Sequence, residues 1–224
     1  MRTIAVIALK GGSGKTTVAM QLALSAHWRG HDALVVDIDP QHSAHDILSA
    51  REEPGPGCVV STGPKLLSAK FAAQGLNKDL MFIDTPAGAV EEVTEAVVLA
   101  DYVVLVVRPT LLDIAGLVRS YKLVKRLGRP CSVVINQAPP AREDVEAPLV
   151  RRALRALDYM AAPLAPVILR SRAVYQTGLE RGRSAEEMLD KAAAREVAAL
   201  WAYLAGQIAA TPEPARATEA LPLP

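Results

Sequence analysis

The residues with the clearest chemistry are Lys10–Thr17, which read Lys-Gly-Gly-Ser-Gly-Lys-Thr-Thr directly after the apolar run Thr3–Ala8. A strand, a glycine-rich turn and a helix start together form a phosphate cradle, because glycines let backbone N–H groups converge on anionic oxygens and the helix N-terminus adds partial positive charge. Lys15 is placed to reach the β- and γ-phosphates, and the Thr16 hydroxyl to bind Mg²⁺. The residues expected to bind the nucleotide here are Gly11, Gly12, Ser13, Gly14, Lys15, Thr16 and Thr17.

The entrance of this loop departs from the general phosphate-binding pattern. That pattern has a glycine five residues before Gly14, where this chain has Leu9. A second lysine, Lys10, stands just ahead of the double glycine. We expect Lys10 to point away from its own nucleotide pocket, where it is well placed to meet a nucleotide held by another subunit.

Three acidic residues stand at the ends of predicted strands. Asp37 and Asp39 lie in Val-Val-Asp-Ile-Asp-Pro-Gln, and Asp84 lies in Met-Phe-Ile-Asp-Thr-Pro. Side chains two apart in a strand share a face, so both carboxylates of the first motif are expected to face the nucleotide. We expect Asp39 to orient the attacking water and to belong to the Mg²⁺ site, and Asp84 to hold Mg²⁺ through water. A lone strand-end aspartate is as often a helix cap, but three of them beside a phosphate loop favour catalysis.

Asn136 ends another apolar run, in Val-Val-Ile-Asn-Gln-Ala-Pro-Pro. Its amide can hydrogen-bond the edge of a base, which makes it a candidate nucleotide contact, although a turn-forming role stays open. GTP-binding proteins carry Asn-Lys-x-Asp at this place, whereas Gln137 and Pro139 occupy the lysine and aspartate positions here. This difference favours ATP over GTP.

The elements that must position these residues alternate between strand and helix. The 224 residues are 50% hydrophobic, enough for a sizeable core in one α/β domain, residues 1–210. Runs this apolar predict a single doubly wound, mostly parallel sheet covered by helices on both faces. The predicted strands are Thr3–Ala8, Ala33–Asp37, Leu80–Asp84, Tyr102–Val107, Ser132–Asn136 and Pro166–Leu169. The predicted helices are Thr16–Arg29, Val90–Ala100, Asp113–Leu127, Glu143–Leu157 and Asp190–Ile208.

Composition and charge limit the domain organisation, the partners and the cellular compartment that we expect for this chain. Ser49–Gly63 is rich in Gly and Pro and predicts a loop, and the proline-rich Thr211–Pro224 predicts a disordered tail. A net charge of +1 provides no global basic field, so any nucleic-acid contact must come from a local patch. Cys58 and Cys131 lack metal-ligand spacing and are expected to be free thiols in a reducing cytoplasm. Met1 leads straight into a strand, so no signal peptide is expected, and no apolar run reaches membrane-spanning length.

The motifs at Lys10–Thr17, Asp37–Gln41 and Phe82–Pro86, in this order and spacing, resemble the ParA/MinD group of deviant-Walker ATPases. Two later segments, Val106–Gly116 and Arg172–Glu187, look like the short plasmid-type ParA branch that includes ParF. The likeness runs from about Met1 to Tyr203 and is strongest at the motifs. It implies a P-loop NTPase fold and Mg²⁺-dependent ATP hydrolysis.

The resemblance also implies a cycle. ATP closes a homodimer face to face, Lys10 reaches the partner's phosphates, Lys15 is the Walker lysine, and Asp39 is the hydrolytic aspartate. The ATP-bound dimer binds DNA without sequence preference, and a ParB-like or other adaptor stimulates slow hydrolysis. Such cycles position plasmids, chromosomal origins or protein clusters. The implied location is the cytoplasm, on the nucleoid and away from membranes.

Two basic sets are candidates for contacting DNA phosphates. The family resemblance favours the C-terminal arginine set, which comprises Arg170, Arg172, Arg181, Arg183, Lys191 and Arg195. A second set has roughly helical spacing, and a solvated helix face is its simpler interpretation. It comprises Arg119, Lys122, Lys125, Arg126 and Arg129.

Other functions remain possible at this stage. A MinD-like membrane-positioning ATPase would need a terminal amphipathic helix, which the prolines of Thr211–Pro224 interrupt. An ATP-dependent metabolic synthetase could use the same fold with a substrate pocket that no motif reveals. A carrier of an iron–sulfur cluster would need paired cysteines, which Cys58 and Cys131 do not supply. A binding module without turnover is disfavoured, because Lys15, Asp39 and Asp84 are all present.

Overall fold

The computed structural model describes residues 1–143 and 145–212. Its centre is a parallel sheet of six strands in the spatial order β3-β2-β4-β1-β5-β6. The strands are β1 (Arg2–Ile7), β2 (Ala33–Asp37), β3 (Gly57–Val60), β4 (Leu80–Asp84), β5 (Tyr102–Val107) and β6 (Cys131–Ile135). This arrangement confirms the predicted doubly wound parallel sheet and the P-loop NTPase fold.

Helices cover both faces of this sheet. They are α1 (Lys15–Trp28), α2 (Ser43–Ser49), α3 (Leu66–Gly75), α4 (Val90–Leu99), α5 (Leu111–Arg126), α6 (Pro148–Tyr159), α7 (Val174–Leu179) and α8 (Lys191–Ala210). Alternate strand residues point to opposite faces, so each face has its own core. Helices α1, α7 and α8 pack in one core cluster, and α3, α4, α5 and α6 pack in the other. Within the described residues, no helix is both long and apolar enough to cross a membrane.

The register of the central strands brings the motifs to one edge of the sheet. Asp37 of β2 pairs directly with Asp84 of β4, and Val6 near the end of β1 pairs with Asp84 from the other side. The carboxyl ends of parallel strands are where ligands bind in open α/β sheets. The glycine-rich loop leaves β1 at this edge and enters α1.

Two strand predictions are wrong. The stretch Ser49–Gly63, predicted as a loop, contains β3, an edge strand that pairs with β2, and its short sequence between glycines and prolines gave no strand signal. Conversely, Pro166–Leu169 is not a strand. The longer stretch Pro163–Leu169 runs beside β6 and shares three hydrogen bonds with it, but Pro163 and Pro166 lack the N–H groups that a continuous ladder needs.

One predicted helix begins later than expected. The prediction placed its start at Glu143, but that residue has a φ of 49°, in the left-handed region that ends helices. The helix starts at Pro148, which suits the first turn because its missing N–H has no intrahelical acceptor there, and it ends at Tyr159. Three short helices, α2, α3 and α7, were not predicted.

The predicted disordered tail is Thr211–Pro224. Its first two residues are described by the structure, and residues 213–224 lie outside the described residues. The carbonyl oxygens of Thr211 and Pro212 accept hydrogen bonds of 2.7 and 3.0 Å from the Arg2 guanidinium. The start of the predicted tail is therefore tied to β1. The division into residues 1–210 and a tail stays a prediction.

Candidate active site

The glycine-rich loop adopts a conformation that its sequence requires. Gly12 and Gly14 have φ values of 77° and 85°, which side chains rarely allow. Gly14 directly precedes α1, and its carbonyl accepts the first helical hydrogen bond, from the N–H of Val18. The loop residues Gly11 and Gly12 are exposed at the surface, while the Ser13 side chain is buried. The loop thus opens toward solvent over the start of a helix, as anion binding requires.

Two amides at the end of β6 brace this loop. Asn136 is buried and donates a 2.9 Å hydrogen bond to the Ser13 carbonyl, and Gln137 donates one of 3.3 Å to the Gly12 carbonyl. A side chain at Gly14 would collide with the Asn136 amide, which is a second reason for glycine there. Sequence reasoning named Asn136 as a base contact and missed this bracing role for both amides. Base contact by Asn136 stays a prediction.

Lys15, Thr16 and Asp84 come together at the start of α1. The Thr16 hydroxyl donates a 2.7 Å hydrogen bond to Asp84 Oδ2. Burial lowers the pKa of Lys15, while the charges of Asp84 and Asp39 act in the opposite direction. Burial raises the pKa of Asp84 to about 7, against the lowering effect of the Thr16 hydrogen bond. Thr17 is partly buried in the same helical turn.

Two buried polar atoms at this site have no partner among the described residues. Asp84 Oδ1 and the Ser13 hydroxyl are both fully shielded from solvent without a hydrogen bond. A carboxylate oxygen beside a threonine hydroxyl is the hard oxygen set that Mg²⁺ prefers, usually together with water and phosphate oxygens. The residues present therefore fit the predicted magnesium site.

The two carboxylates of the Asp37–Gln41 motif have different environments. Asp37 is buried, and its oxygens accept the backbone N–H groups of Asp39 and His45 at 3.0 and 3.1 Å. Asp37 therefore shapes the turn, while its charge also acts on Asp84, and its facing the nucleotide stays a prediction. Asp39 is half-buried, and its Oδ1 accepts the Gln41 N–H at 2.9 Å. Its charge acts on both Lys15 and Asp84, so Asp39 lies close to these two side chains.

Lys10 lies outside this pocket, along α5. Its side chain passes over Gly116, and its Nζ forms a 3.0 Å ion pair with Asp113 Oδ1. Asp113 is buried and also binds Arg108 through two hydrogen bonds of 3.0 and 3.2 Å. Although burial opposes it, hydrogen bonds from Thr110, Arg108 and Lys10 lower the pKa of Asp113.

Sequence reasoning missed Arg108 and Asp113. The Arg108 guanidinium lies against Gly12, where it faces the loop from the β5 side. The available signal was the motif Val106–Gly116, which was noticed only as a family likeness.

The predicted DNA-contacting residues divide into two groups. Arg170, Arg172 and Arg183 are engaged in ion pairs with Glu146, Glu196 and Glu53, respectively. The remaining members, Arg181, Lys191 and Arg195, are exposed. None of the six lies near the glycine-rich loop through a described contact, and their contact with DNA stays a prediction.

A six-stranded parallel sheet with a glycine-rich loop between β1 and α1 defines a P-loop nucleotide-binding protein. Residues 4–194 match the family model described as the CobQ/CobB/MinD/ParA nucleotide binding domain. The chain belongs to this family, which confirms the ParA/MinD resemblance of its motifs. Members of the ParA/MinD type are nucleotide-binding ATPases.

Individual relatives agree with this assignment. The chain is 36% identical over 163 residues to the maintenance of carboxysome distribution protein A of Gloeobacter kilaueensis, with 69% of this chain and 71% of that protein covered. Apo McdA of Cyanothece has the same fold, with a TM-score of 0.77, 18% identity, and 91% and 99% of the two chains covered. The Pyrococcus furiosus cell division ATPase MinD gives a TM-score of 0.71 at 21% identity, with 92% and 99% covered.

Proposed function

We propose that this chain is an ATP-driven switch: two copies trap two Mg²⁺-ATP molecules, the dimer binds DNA without sequence preference, and slow hydrolysis separates it. Lys15 holds the phosphates, Thr16 and Asp84 hold Mg²⁺, and Asp39 orients the attacking water. When bound, the metal ion neutralises charge that develops on the phosphates. A ParB-like or other adaptor stimulates hydrolysis and so times release from DNA.

The observation that carries this proposal is the group of buried polar atoms around the glycine-rich loop. Ser13 Oγ, Asp84 Oδ1 and the desolvated Lys15 ammonium lie within one loop and the adjacent strand end. Leaving a buried donor or acceptor unsatisfied costs about 1–3 kcal/mol, which a stable fold tolerates where a ligand completes it. Bound nucleotide phosphates and Mg²⁺ would supply the missing partners.

A second copy is supported by the surface around Lys10. The Lys10 side chain is 37% exposed, so the cation is available to a neighbouring chain once it leaves Asp113. Leu111 and Leu112, at the start of α5, are 81% and 71% exposed. A partner covering these leucines would place its phosphates within reach of Lys10. Arg108 would continue to neutralise Asp113 after Lys10 moved.

The cargo we propose is a protein assembly. The carboxysome-distribution relative matches most of the chain at 36% identity, which favours this over a plasmid. Imaging of a labelled plasmid and of labelled protein foci, in cells with and without the gene, checks the assignment. Mispositioned protein foci with normal plasmid retention are expected, and plasmid loss with normal foci contradicts the proposal.

Light scattering after gel filtration tests the dimer. The hydrolysis-deficient variant Asp39→Ala, with Mg²⁺-ATP, is expected to elute as a dimer, and with ADP as a monomer. Adding Lys10→Ala to that variant should abolish the dimer while a fluorescent ATP analogue still binds the single variant Lys10→Ala. The matched control is Lys65→Ala, which removes an exposed lysine remote from the loop and should change neither property. An undiminished dimer in the Lys10→Ala background would falsify the trans-acting lysine.

A further inference from the structure

Two neighbouring helices carry a positively charged surface that the nucleotide site does not use. Helices α5 and α6 contact each other and bury their apolar residues in the same core cluster, on the same side of the sheet. Their solvent-exposed faces are therefore adjacent on the protein surface. We call this region the α5–α6 basic surface. Its exposed cations are Arg119, Lys122, Lys125, Arg126, Arg151, Arg152 and Arg155.

The cations of the α5–α6 basic surface form no salt bridge with any residue in the described ranges 1–143 and 145–212. Acidic side chains on the two helices are few. Asp113 on α5 is buried at the helix start, and Asp158 on α6 lies at the helix end. Positive charge that the fold itself does not neutralise is available to an anionic partner.

We infer that the α5–α6 basic surface binds the phosphate backbone of duplex DNA; this inference rests on the proposed DNA-binding dimer and names its contact surface. Five of the seven cations are arginines, whose planar guanidinium groups fit phosphate oxygens in pairs. Neither helix contains Asn or Gln, the side chains that read adenine edges. A surface of this kind contacts the DNA backbone and does not distinguish between base sequences.

A membrane fits this surface less well than DNA. Peripheral helices bind bilayers by inserting large apolar side chains between lipid headgroups. From Arg119 to Arg126, α5 exposes no large apolar side chain, and on α6 such residues stand only at the ends, Leu149 and Tyr159. The middle of the surface therefore offers charge without the apolar contact that a bilayer requires.

The position of the surface also connects it to ATP. Lys10 lies on Gly116, and Arg119 is the next residue along that face of α5, one turn away. A second copy closing over Lys10 brings its own α5 close to this one. Two surfaces then contact one duplex, and affinity rises because each additional phosphate neutralised releases further counterions.

The test compares two matched double charge reversals. Arg151→Glu with Arg155→Glu changes two exposed cations one helical turn apart on α6, and Lys191→Glu with Arg195→Glu does the same on α8, within the C-terminal arginine set. Fluorescence anisotropy of a labelled random duplex is measured with ATP, with ADP and across a salt series. Thermal unfolding and ATP-dependent dimerisation are measured on the same preparations, and Arg119→Glu with Lys122→Glu serves as a second variant if the α6 variant does not fold.

The α6 variant is expected to bind DNA at least tenfold more weakly while it still dimerises, and the slope of log affinity against log salt should fall by about 2. The α8 variant should stay within threefold of wild type. The reverse pattern, with binding lost in the α8 variant and kept in the α6 variant, overturns the inference and leaves the proposed function standing. A wild-type protein that dimerises with ATP but binds no DNA, or binds only phosphatidylglycerol vesicles, overturns both this surface and the DNA step.

Discussion

The nucleotide end of the sheet and the C-terminal arginine set differ in whether their polar and charged groups have partners within the fold. Around the glycine-rich loop, Ser13 Oγ and Asp84 Oδ1 are buried with no partner among the described residues. In the C-terminal set, Arg170 and Arg172 are each bound by two hydrogen bonds to a glutamate. The guanidinium groups of Arg170 and Arg172 are satisfied within the fold and stabilise it, whereas the two oxygens beside the loop are available to a ligand. Counting charged residues along the chain does not separate the two cases.

Among the substitutions that test this difference between the two regions, Lys15→Ala should have the largest effect. Lys15→Ala removes the cation that faces the phosphates, and the steady-state ATPase rate is expected to fall at least about 100-fold. The melting temperature without nucleotide should not fall, because the substitution removes an ammonium group whose burial costs free energy. Lys191→Ala is the matched control and should leave the rate unchanged. A large loss of stability in Lys15→Ala would mean that this lysine is structural.

The Asp84 carboxyl should make the stability of the nucleotide-free protein depend on pH. Its pKa rises from 3.8 in the unfolded chain to about 7 in the fold, so between these values the folded state binds more protons and stability falls as pH rises. Asp84→Asn removes this penalty and is expected to raise the melting temperature at pH 8 by about 5 °C and to have little effect near pH 4. Differential scanning calorimetry at both pH values measures the difference. An equal shift at both pH values would show that the carboxyl is not the cause.

Breaking an ion pair of the C-terminal set should affect stability alone. Arg172→Ala leaves Glu196 without its guanidinium, and the free energy of unfolding should fall by about 1–2 kcal/mol. The ATPase rate of the folded protein should be unchanged. A urea double-mutant cycle with Glu196→Gln measures the coupling between the two side chains. If the rate collapses while stability is preserved, the separation of the two regions is incorrect.

The smallest expected effect concerns Lys10. Asp113→Asn weakens its ion pair, which is worth about 0.2–1 kcal/mol because Lys10 is partly exposed. The ATP concentration that half-saturates dimerisation should therefore fall by a factor of about 1.4 to 5. Sedimentation velocity over an ATP series measures this change. Thr94→Ala, which removes an exposed side-chain hydrogen bond on α4, is the control. A rise in the required ATP concentration would show that Asp113 assists dimerisation.

Much of the fold was predictable, because continuous apolar strands and glycine-terminated helices are local patterns. The five strands predicted within β1, β2, β4, β5 and β6 are present, with bounds shifted by no more than a residue. The misses at β3 and Pro166–Leu169 concern segments whose state depends on a neighbour: β3 exists because β2 offers an edge, and the proline segment lies along β6 without completing a ladder. Neither dependence is visible in a local window of residues.

The sequence by itself determined the phosphate loop and the residue types around it, because φ values near 80° demand glycine and phosphate chemistry demands lysine, hydroxyl and carboxylate groups. Only the tertiary structure decided which charges meet. Asn136 reaches Ser13 across 123 residues, and Arg183 reaches Glu53 across 130. An ion pair depends on distances of a few ångströms between remote segments, so the chain order records each charge but not its partner.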